Sequence, residues 1–171
     1  MRGPRFFPAA ILLVFLLLAA AIFLRKPEEM LTGQPHVKDG DSLVINGREM
    51  RLKGLDAPEW NQTCRINARD VPCGRMAADA LRRWFTRGPP ICTGTELDRY
   101  GRLLVTCRVN GVDVGADLVR NGIAVDYGNY PEEEKAARHD ERGIWAGTFE
   151  RPDAFRRRMR AGRGGDTAPA P

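Results

Sequence analysis

Histidine is scarce in this chain, and cysteine is sparse and irregularly spaced, which narrows the chemistry the chain can perform. The sequence has two histidines, His36 and His139, and no pattern that brings them together. Metal-independent ribonuclease chemistry needs a convergent histidine pair, so it is disfavoured. The cysteines form no Cys-x-x-Cys pair, and no histidine pair has the spacing of zinc ligands. We expect His36 at a strand edge and His139 on a helix surface.

An excess of positive charge is also missing from the central part of the chain. The net charge is +5 overall, but residues 27–150 carry 17 Lys and Arg against 20 Asp and Glu. Strong non-specific nucleic-acid binding comes from phosphate neutralisation, so this balance excludes it while leaving a nucleic-acid substrate open. A bound divalent cation and the basic stretch at Arg156, Arg157 and Arg158 would have to supply the positive charge that attracts the phosphates. A solvated basic helix end is the simpler interpretation of these arginines, and contact with nucleic acid or anionic lipid is the alternative.

One long apolar run lies near the N-terminus. Phe6 to Leu24 are 19 residues without a charge, enough to cross a hydrocarbon core about 30 Å thick. Basic residues flank the run, namely Arg2, Arg5, Arg25 and Lys26. The small residues 19–21 resemble a signal cleavage site, so cleavage and secretion is the alternative to an uncleaved transmembrane or signal-anchor helix. In both cases the rest of the chain lies outside the cytoplasm, either membrane-anchored or secreted.

The remaining sequence predicts one mainly β domain. We divide the chain into an anchor or signal segment (1–26), a linker (27–35), a globular domain (36–150) and a basic, then disordered Gly/Pro-rich tail (151–171). Five short strands with a helix after the third strand predict a five-stranded Greek-key barrel of the OB type. About three helices accompany the barrel, over 74–87, 114–120 and 131–142. We expect the protein to be a monomer.

The even number of cysteines predicts disulfides, because the domain is expected in an oxidising compartment. If residues 97–102 connect a hairpin, Cys92 lies opposite Cys107 on the neighbouring strand. That pairing leaves Cys64 with Cys73, and their bond would close a short loop.

The densest group of chemically useful residues lies between Val37 and Glu59. An Asn46-Gly47 hairpin places Asp41 opposite Leu52, and Asp56 and Glu59 follow beyond the same open end. Three carboxylates can therefore converge there, with Arg51 a short distance along the strand. Clustered carboxylate oxygens are the ligands that a hard cation such as Ca²⁺ prefers.

This arrangement suits the hydrolysis of a phosphodiester. The reaction needs an activated water, a Lewis acid and cations that face the charged transition state. Glu59 can orient or deprotonate the water, and Arg51 can bind the phosphate through two hydrogen bonds. Arg102, at the end of the tight turn that begins at Asp98, is the candidate for a second cation.

Three motifs resemble those of the staphylococcal-nuclease (thermonuclease) family. They are Asp39-Gly40-Asp41-Ser42, the segment from Arg51 to Glu59, and Asp98-Arg99-Tyr100-Gly101-Arg102. The resemblance extends over about residues 36–150, with weaker matches at 112–122 and 143–145. It implies an OB-fold nuclease that uses Ca²⁺ to cleave DNA and RNA and leaves 3′-phosphate ends.

Matching the motifs by position implies three groups of site residues. The metal ligands would be the carboxylates of Asp41 and Asp56 and the carbonyl of Ala57. The catalytic residues would be Arg51, Glu59 and Arg102. Tyr100 and Tyr127 would line the nucleotide pocket.

The rival hypothesis is a non-catalytic OB module that binds single-stranded nucleic acid or a partner protein at the membrane surface. The enzyme is favoured because the carboxylates and arginines implied by the resemblance are all present. Among the tryptophans, Trp84 is expected in the core and Trp145 as a packing anchor. Trp60, next to Glu59, is the candidate for stacking on a base.

Overall fold

The computed structural model describes residues 7–23 and 27–164. The helices of this part are α1 (Phe7–Phe23), α2 (Cys73–Phe85), α3 (Val114–Arg120), α4 (Pro131–His139) and α5 (Pro152–Gly164), with a 3-10 turn at Gly143–Ala146. The strands are β1 (Glu29–Thr32), β2 (His36–Val37), β3 (Ser42–Ile45), β4 (Arg48–Leu52), β5 (Leu55–Asp56), β6 (Cys64–Ile66), β7 (Arg69–Val71), β8 (Ile91–Leu97), β9 (Leu103–Val109), β10 (Val112–Asp113), β11 (Val125–Asp126) and β12 (Gly147–Thr148).

A curled, mainly antiparallel sheet forms the body of the domain, in agreement with the expected OB-like fold. Its strand order is β1-β8-β9-β4-β3-β2, with β10 paired to β9 and a parallel step between β4 and β9. The sheet has seven strands rather than the predicted five. One added strand is β1, which lies in the predicted linker. It pairs with β8, and its Leu31 packs against the core opposite Cys92.

The β3–β4 hairpin has the predicted register. Asn46 and Gly47 adopt positive φ angles of 52° and 78°, as a tight hairpin turn requires. Ser42 pairs with Arg51, and the backbone N–H of Leu52 donates to the Asp41 carbonyl at 2.8 Å. Since alternate residues point to opposite faces, Leu43, Ile45, Met50 and Leu52 enter the core while Arg51 points away from it.

Helix α2 packs its apolar face on the sheet, with Leu81 and Trp84 buried. The prediction that Trp84 is a core residue is confirmed. The helix ends at Phe85, two residues before the predicted end. Helix α3 has the predicted bounds, and the Asp113 carboxylate caps it by accepting a hydrogen bond from the N–H of Ala116 at 3.1 Å.

Helix α4 ends at His139, three residues before the predicted end. The chain reverses at Glu141, which has a φ of 51°, and the 3-10 turn follows. Both histidines are exposed, His139 at the end of α4 and His36 on the edge strand β2, as expected.

Both predicted disulfides are present. Cys92 pairs with Cys107 across β8 and β9, and Cys64 pairs with Cys73. The segment that the second bond closes is a hairpin of β6 and β7. Residues 67 and 68 form its turn with positive φ angles of 48° and 62°.

Helix α1 lies within the predicted anchor segment. None of the helices in residues 7–23 and 27–164 has both the length and the apolar character needed to cross a membrane. The basic residues that flank the apolar run, and the chain from residue 165 onward, lie outside the described residues. The anchor, its cleavage and the location of the domain therefore stay predictions.

Candidate active site

Two buried carboxylates form the floor of the candidate site. Asp41 lies just before β3 and Asp56 ends β5, and both side chains are almost inaccessible to solvent. Arg51 of β4 connects them, donating from Nη1 to Asp41 Oδ1 at 2.7 Å and from Nη2 to Asp56 Oδ1 at 2.6 Å. Asp41, Asp56 and Arg51 thus form one ion-paired group, whereas the predicted convergence of three carboxylates, which included Glu59, is not found as a metal-holding group among the described residues.

Burial and charge act in opposite directions on this group. Burial raises the pKa of Asp41 to about 7, although the neighbouring Arg51 guanidinium lowers it. Burial would lower the pKa of Arg51, but the charges of Asp41 and Asp56 raise it above its ordinary value. Arg51 is consequently charged at any physiological pH.

Glu59 is held above this floor by its backbone. Its N–H donates to the side-chain oxygen of buried Gln62 at 3.1 Å. Helix α2 starts directly against the same turn, because a Cβ on Gly74 would lie 1.7 Å from the Glu59 carbonyl oxygen. Ala57 is buried and donates its N–H to Asp41 Oδ2 at 3.1 Å. Glu59 thus sits on a rigid turn, with a side chain about one third exposed.

Arg102 reaches the site from the β8–β9 turn. Its guanidinium pairs with Asp98 Oδ2 at 2.7 Å and donates to the Ser42 hydroxyl at 3.3 Å. Ser42 in turn donates to Asp41 Oδ1 at 3.0 Å. Burial would raise the pKa of Asp98, but hydrogen bonds from the Arg102 side chain and from two backbone N–H groups hold it below its ordinary value.

The two predicted nucleotide-pocket tyrosines are exposed at the rim. Tyr127 follows β11, which pairs with β5, and its N–H donates to the Gly54 carbonyl at 2.8 Å. Tyr100 accepts a hydrogen bond from Arg160 at 3.2 Å. This bond and a neighbouring arginine lower the pKa of the Tyr100 hydroxyl.

These residues share one cleft of about 600 Å³. Its walls include seven of the eight predicted site residues, namely Asp41, Arg51, Ala57, Glu59, Tyr100, Arg102 and Tyr127. Asp56 is the eighth, and it reaches the cleft only through its bonds to Arg51 and to one further arginine.

That further arginine is Arg156 of α5, which was expected to be solvated. Its guanidinium donates to both oxygens of Asp56 at 2.8 Å and to Glu59 Oε1 at 2.7 Å. These hydrogen bonds raise the pKa of Arg156 above its ordinary value. The spacing of Arg156 and Arg160, four residues apart, places them on one helix face, but only the structure shows that this face lines the cleft.

Gln62 is a second residue that the sequence analysis missed. Besides holding the Glu59 N–H, its amide donates to the Glu150 carbonyl at 2.6 Å. It therefore connects the Glu59 turn to the residues just before α5. A buried glutamine has no distinctive sequence pattern, so only the tertiary structure identifies this role.

The tryptophans divide as expected. Trp145 packs edge-on against Phe149, with ring centroids 4.8 Å apart, which agrees with a packing anchor. Trp60 is about half exposed, and the guanidiniums of Arg75 and Arg82 lie within 6 Å of its ring. It remains a candidate for stacking on a base.

The donor set suits a hard cation, although the described residues contain no group of three metal-ligating side chains close enough to hold one. The available ligands are oxygens, as Ca²⁺ prefers. A cation already stands between two of them, because the Arg156 guanidinium occupies Asp56 and Glu59. The carboxylates thus fit a cation chemically, and Arg156 is the cation they bind here.

A curled β-sheet whose edge carries buried carboxylates and converging arginines defines a class of site suited to phosphate esters. Residues 49–147, more than half of the chain, match the family described as staphylococcal nuclease homologue. The chain belongs to this family.

Individual relatives agree with this assignment. The chain is 37% identical over 126 residues to the succinoglycan biosynthesis protein ExoI of Rhizobium meliloti, covering 68% of this chain and 65% of that protein. It is 31% identical over 131 residues to endonuclease YhcR of Bacillus subtilis, covering 64% of this chain and 11% of that protein. It is 28% identical to "Probable staphylococcal-like nuclease CAN1" of Oryza sativa subsp. japonica, covering 72% and 37%. The chain spans less than two thirds of each relative.

Proposed function

We propose that this protein is a calcium-dependent phosphodiesterase, an endonuclease that hydrolyses DNA, RNA or both and leaves 3′-phosphate ends. The observation that carries the proposal is the single cleft in which Arg51, Arg102 and Glu59 face the same space above two buried carboxylates. Membership of the family, and the nuclease names of two relatives, support the same activity.

The chain's own residues suggest how the work is divided. Arg51 approaches the cleft from β4 and Arg102 from the β8–β9 turn, and both bind the phosphate oxygens, where their charge favours the transition state. Glu59 orients or deprotonates the attacking water, and the bond from its N–H to Gln62 holds its turn in place. Asp98 keeps the Arg102 guanidinium directed at the site. Tyr100 and Tyr127 contact the nucleotide from the rim.

Calcium would be held by Asp41, Asp56 and the carbonyl of Ala57. When bound, it supplies a Lewis acid that polarises a phosphate oxygen. Asp41 accepts hydrogen bonds from Arg51, Ser42 and Ala57, and Asp56 accepts them from Arg51 and Arg156, which limits how far the carboxylates can turn. A rigid carboxylate pair of this kind favours one cation position.

We further propose that the domain acts outside the cytoplasm, either membrane-anchored through the N-terminal segment or secreted. The two disulfides support this location, because such bonds persist in oxidising compartments. Expression in intact cells followed by protease treatment from outside would test it. Complete protection of the domain from the protease would contradict the proposal.

The activity is tested with the protein purified without reductant, on end-labelled single-stranded DNA and on RNA, with Ca²⁺ and then with EGTA. We expect cleavage only with Ca²⁺, and products whose 3′ ends are extended by a polymerase only after phosphatase treatment. Arg108→Gln is the matched control, because Arg108 is exposed and the residues that it contacts, Gly111 and Asp113, lie outside the cleft. Undiminished cleavage after Glu59→Gln with Arg102→Ala would refute the assigned site.

The second candidate function is a non-catalytic module that binds single-stranded nucleic acid or a partner protein. The contact of Arg156 with Asp56 and Glu59 favours it, since both carboxylates are occupied. One relative is named for succinoglycan biosynthesis, a role that differs from that of a nuclease. Retained binding of a fluorescent oligonucleotide, with no cleavage under any cation tested, would establish this alternative.

A further inference from the structure

The positive charge of Arg156 lies against Asp56 and Glu59, where the charge of a bound divalent cation would also lie. Its guanidinium makes three hydrogen bonds of 2.7–2.8 Å to two carboxylates, one from each side of the Asp56–Glu59 turn. The same Asp56 already receives Arg51. Both Asp56 oxygens therefore accept guanidinium hydrogen bonds, two at Oδ1 and one at Oδ2, and Glu59 is turned toward Arg156.

Charge counting shows that Arg156 and a divalent cation are alternatives. Without metal, the carboxylates of Asp41, Asp56 and Glu59 face the guanidiniums of Arg51 and Arg156, which nearly balances the site. A divalent ion added to this arrangement would lie next to Arg156 and compete for the same oxygens. Like charges at such short range in a partly buried site repel each other, so the ion and Arg156 compete for the oxygens of Asp56 and Glu59.

Arg156 is the member that can leave, because α5 is held to the domain mainly at its start. Pro152 and Phe155 are buried, and Arg151 donates to the Asp126 carbonyl at 3.1 Å. Beyond Phe155 the helix reaches the cleft through Arg156 and through the Arg160 contact with Tyr100. Arg51, by contrast, lies in the central sheet between paired strands.

We propose that Arg156 is an internal cation that closes the site in the metal-free protein, and that a hard divalent cation binding at Asp56 displaces it and loosens α5 from the cleft. The inference rests on the proposed calcium dependence. It adds a specific role for α5, because the strength of its contacts sets the cation concentration at which the cleft opens. Once α5 loosens, Arg156 and Arg160 can bind substrate phosphates.

The test is calorimetric titration of the full-length protein with CaCl₂ alone, comparing wild type, Arg156→Gln and Arg157→Gln. Arg157 is the matched control, because it lies on the same helix, carries the same charge and pairs at the surface with Asp153, outside the cleft. We expect Arg156→Gln to bind Ca²⁺ about tenfold more tightly, or about 1.4 kcal/mol, and Arg157→Gln to match wild type. Equal or weaker binding by Arg156→Gln would overturn the proposal.

Hydrogen exchange of the wild-type protein gives a second readout that needs no variant. We expect Ca²⁺ to speed amide exchange in the part of α5 after Phe155 and to leave α2 unchanged. Unchanged or slower exchange in α5 at saturating Ca²⁺ would overturn the proposal, even if Arg156→Gln proves too unstable to purify.

Neither measurement uses nucleic acid, so the two proposals can fail separately. Calcium binding of equal strength in all three proteins, together with Ca²⁺-dependent cleavage, would overturn the role of Arg156 and leave the nuclease intact. Tighter Ca²⁺ binding by Arg156→Gln, without cleavage of nucleic acid by the wild-type protein, would support the role of Arg156 and overturn the nuclease proposal.

Discussion

At the scale of the single residue, Arg51 combines structural and chemical roles. It is the shared partner of two buried carboxylates that would otherwise repel each other. Of the two buried carboxylates, Arg156 neutralises only that of Asp56, because its second partner is the partly exposed Glu59. The metal-free fold therefore depends on Arg51 more than on any surface arginine of the same strand.

We expect Arg51→Met to lower the free energy of unfolding of the metal-free protein by about 3–5 kcal/mol, because it leaves buried charge uncompensated. Arg48→Met is the control on the same strand. Its exposed pair with Glu29 should change stability by less than about 1 kcal/mol. Urea unfolding at neutral pH measures both. Equal losses would show that the buried pairing has no special weight.

Arg102 should behave differently, since its partners are closer to solvent. Arg102→Ala removes a cation that faces the phosphate, so we expect kcat/KM for DNA cleavage to fall by about 10²–10³-fold. Stability should change little, because the Asp98 carboxylate keeps its backbone N–H donors. Arg102→Lys should restore little activity, because a single ammonium group cannot hold Asp98 and donate to a phosphate through a planar, forked set of N–H groups as a guanidinium can. Full recovery with lysine would contradict that geometry.

At the scale of the element, the start of α2 sets the position of Glu59. Gly74→Ala would place a Cβ 1.7 Å from the Glu59 carbonyl oxygen, so the turn must shift by more than 1 Å to reach ordinary contact. Displacements of about 1 Å near a reacting centre cost about 10²-fold in rate. The control is Gly162→Ala in α5, where an added Cβ meets no described atom within 4 Å outside the helix's own backbone, and helix stability should improve by up to about 1 kcal/mol. Steady-state kinetics and thermal melts separate the two.

The two disulfides should differ in their effect on function. Each closes a short segment, with sequence separations of 9 and 15, so replacing either pair by alanine should cost about 3 kcal/mol. The Cys64–Cys73 bond joins β6 to the first residue of α2, next to the Glu59 turn, whereas Cys92–Cys107 lies within the sheet. We expect only the Cys64/Cys73 double variant to lose activity as well as stability. Equal losses of activity below the melting temperature would contradict this.

At the scale of the whole molecule, residues 27–150 carry a small excess of acidic residues. The electrostatic part of the affinity for nucleic acid must therefore come from the arginines of the cleft. With about three arginines on phosphates, binding of single-stranded DNA should give a slope of about −2 in log K against log salt. Arg160→Gln should make the slope shallower by about 0.7, since one phosphate contact is lost. Fluorescence anisotropy over a salt series, with Ca²⁺ present and Glu59→Gln introduced in both proteins to prevent cleavage, measures both. A slope several times steeper would require a basic surface outside the cleft.

Much of the fold and of the candidate site was predictable where the determinants are local. The Asn46-Gly47 turn sets the hairpin register, and that register places Asp41 opposite Leu52. The bounds of α3 follow from the Asp113 cap and the Gly122 stop. The Cys92–Cys107 bond follows from strand pairing across one short turn. Each of these depends on residues near one another in sequence.

The sequence by itself determined the β3–β4 and β8–β9 hairpins and the disulfide pairing, because turn chemistry and alternation act over a few residues. Its motifs also named the candidate catalytic residues, which stay a prediction. Only the tertiary structure decided that the linker supplies β1, that Gln62 connects the Glu59 turn to the residues before α5, and that Arg156 reaches Asp56. These contacts join parts of the chain up to 100 residues apart. Their formation depends on which surfaces the folded sheet leaves open, and no local pattern in the sequence records that.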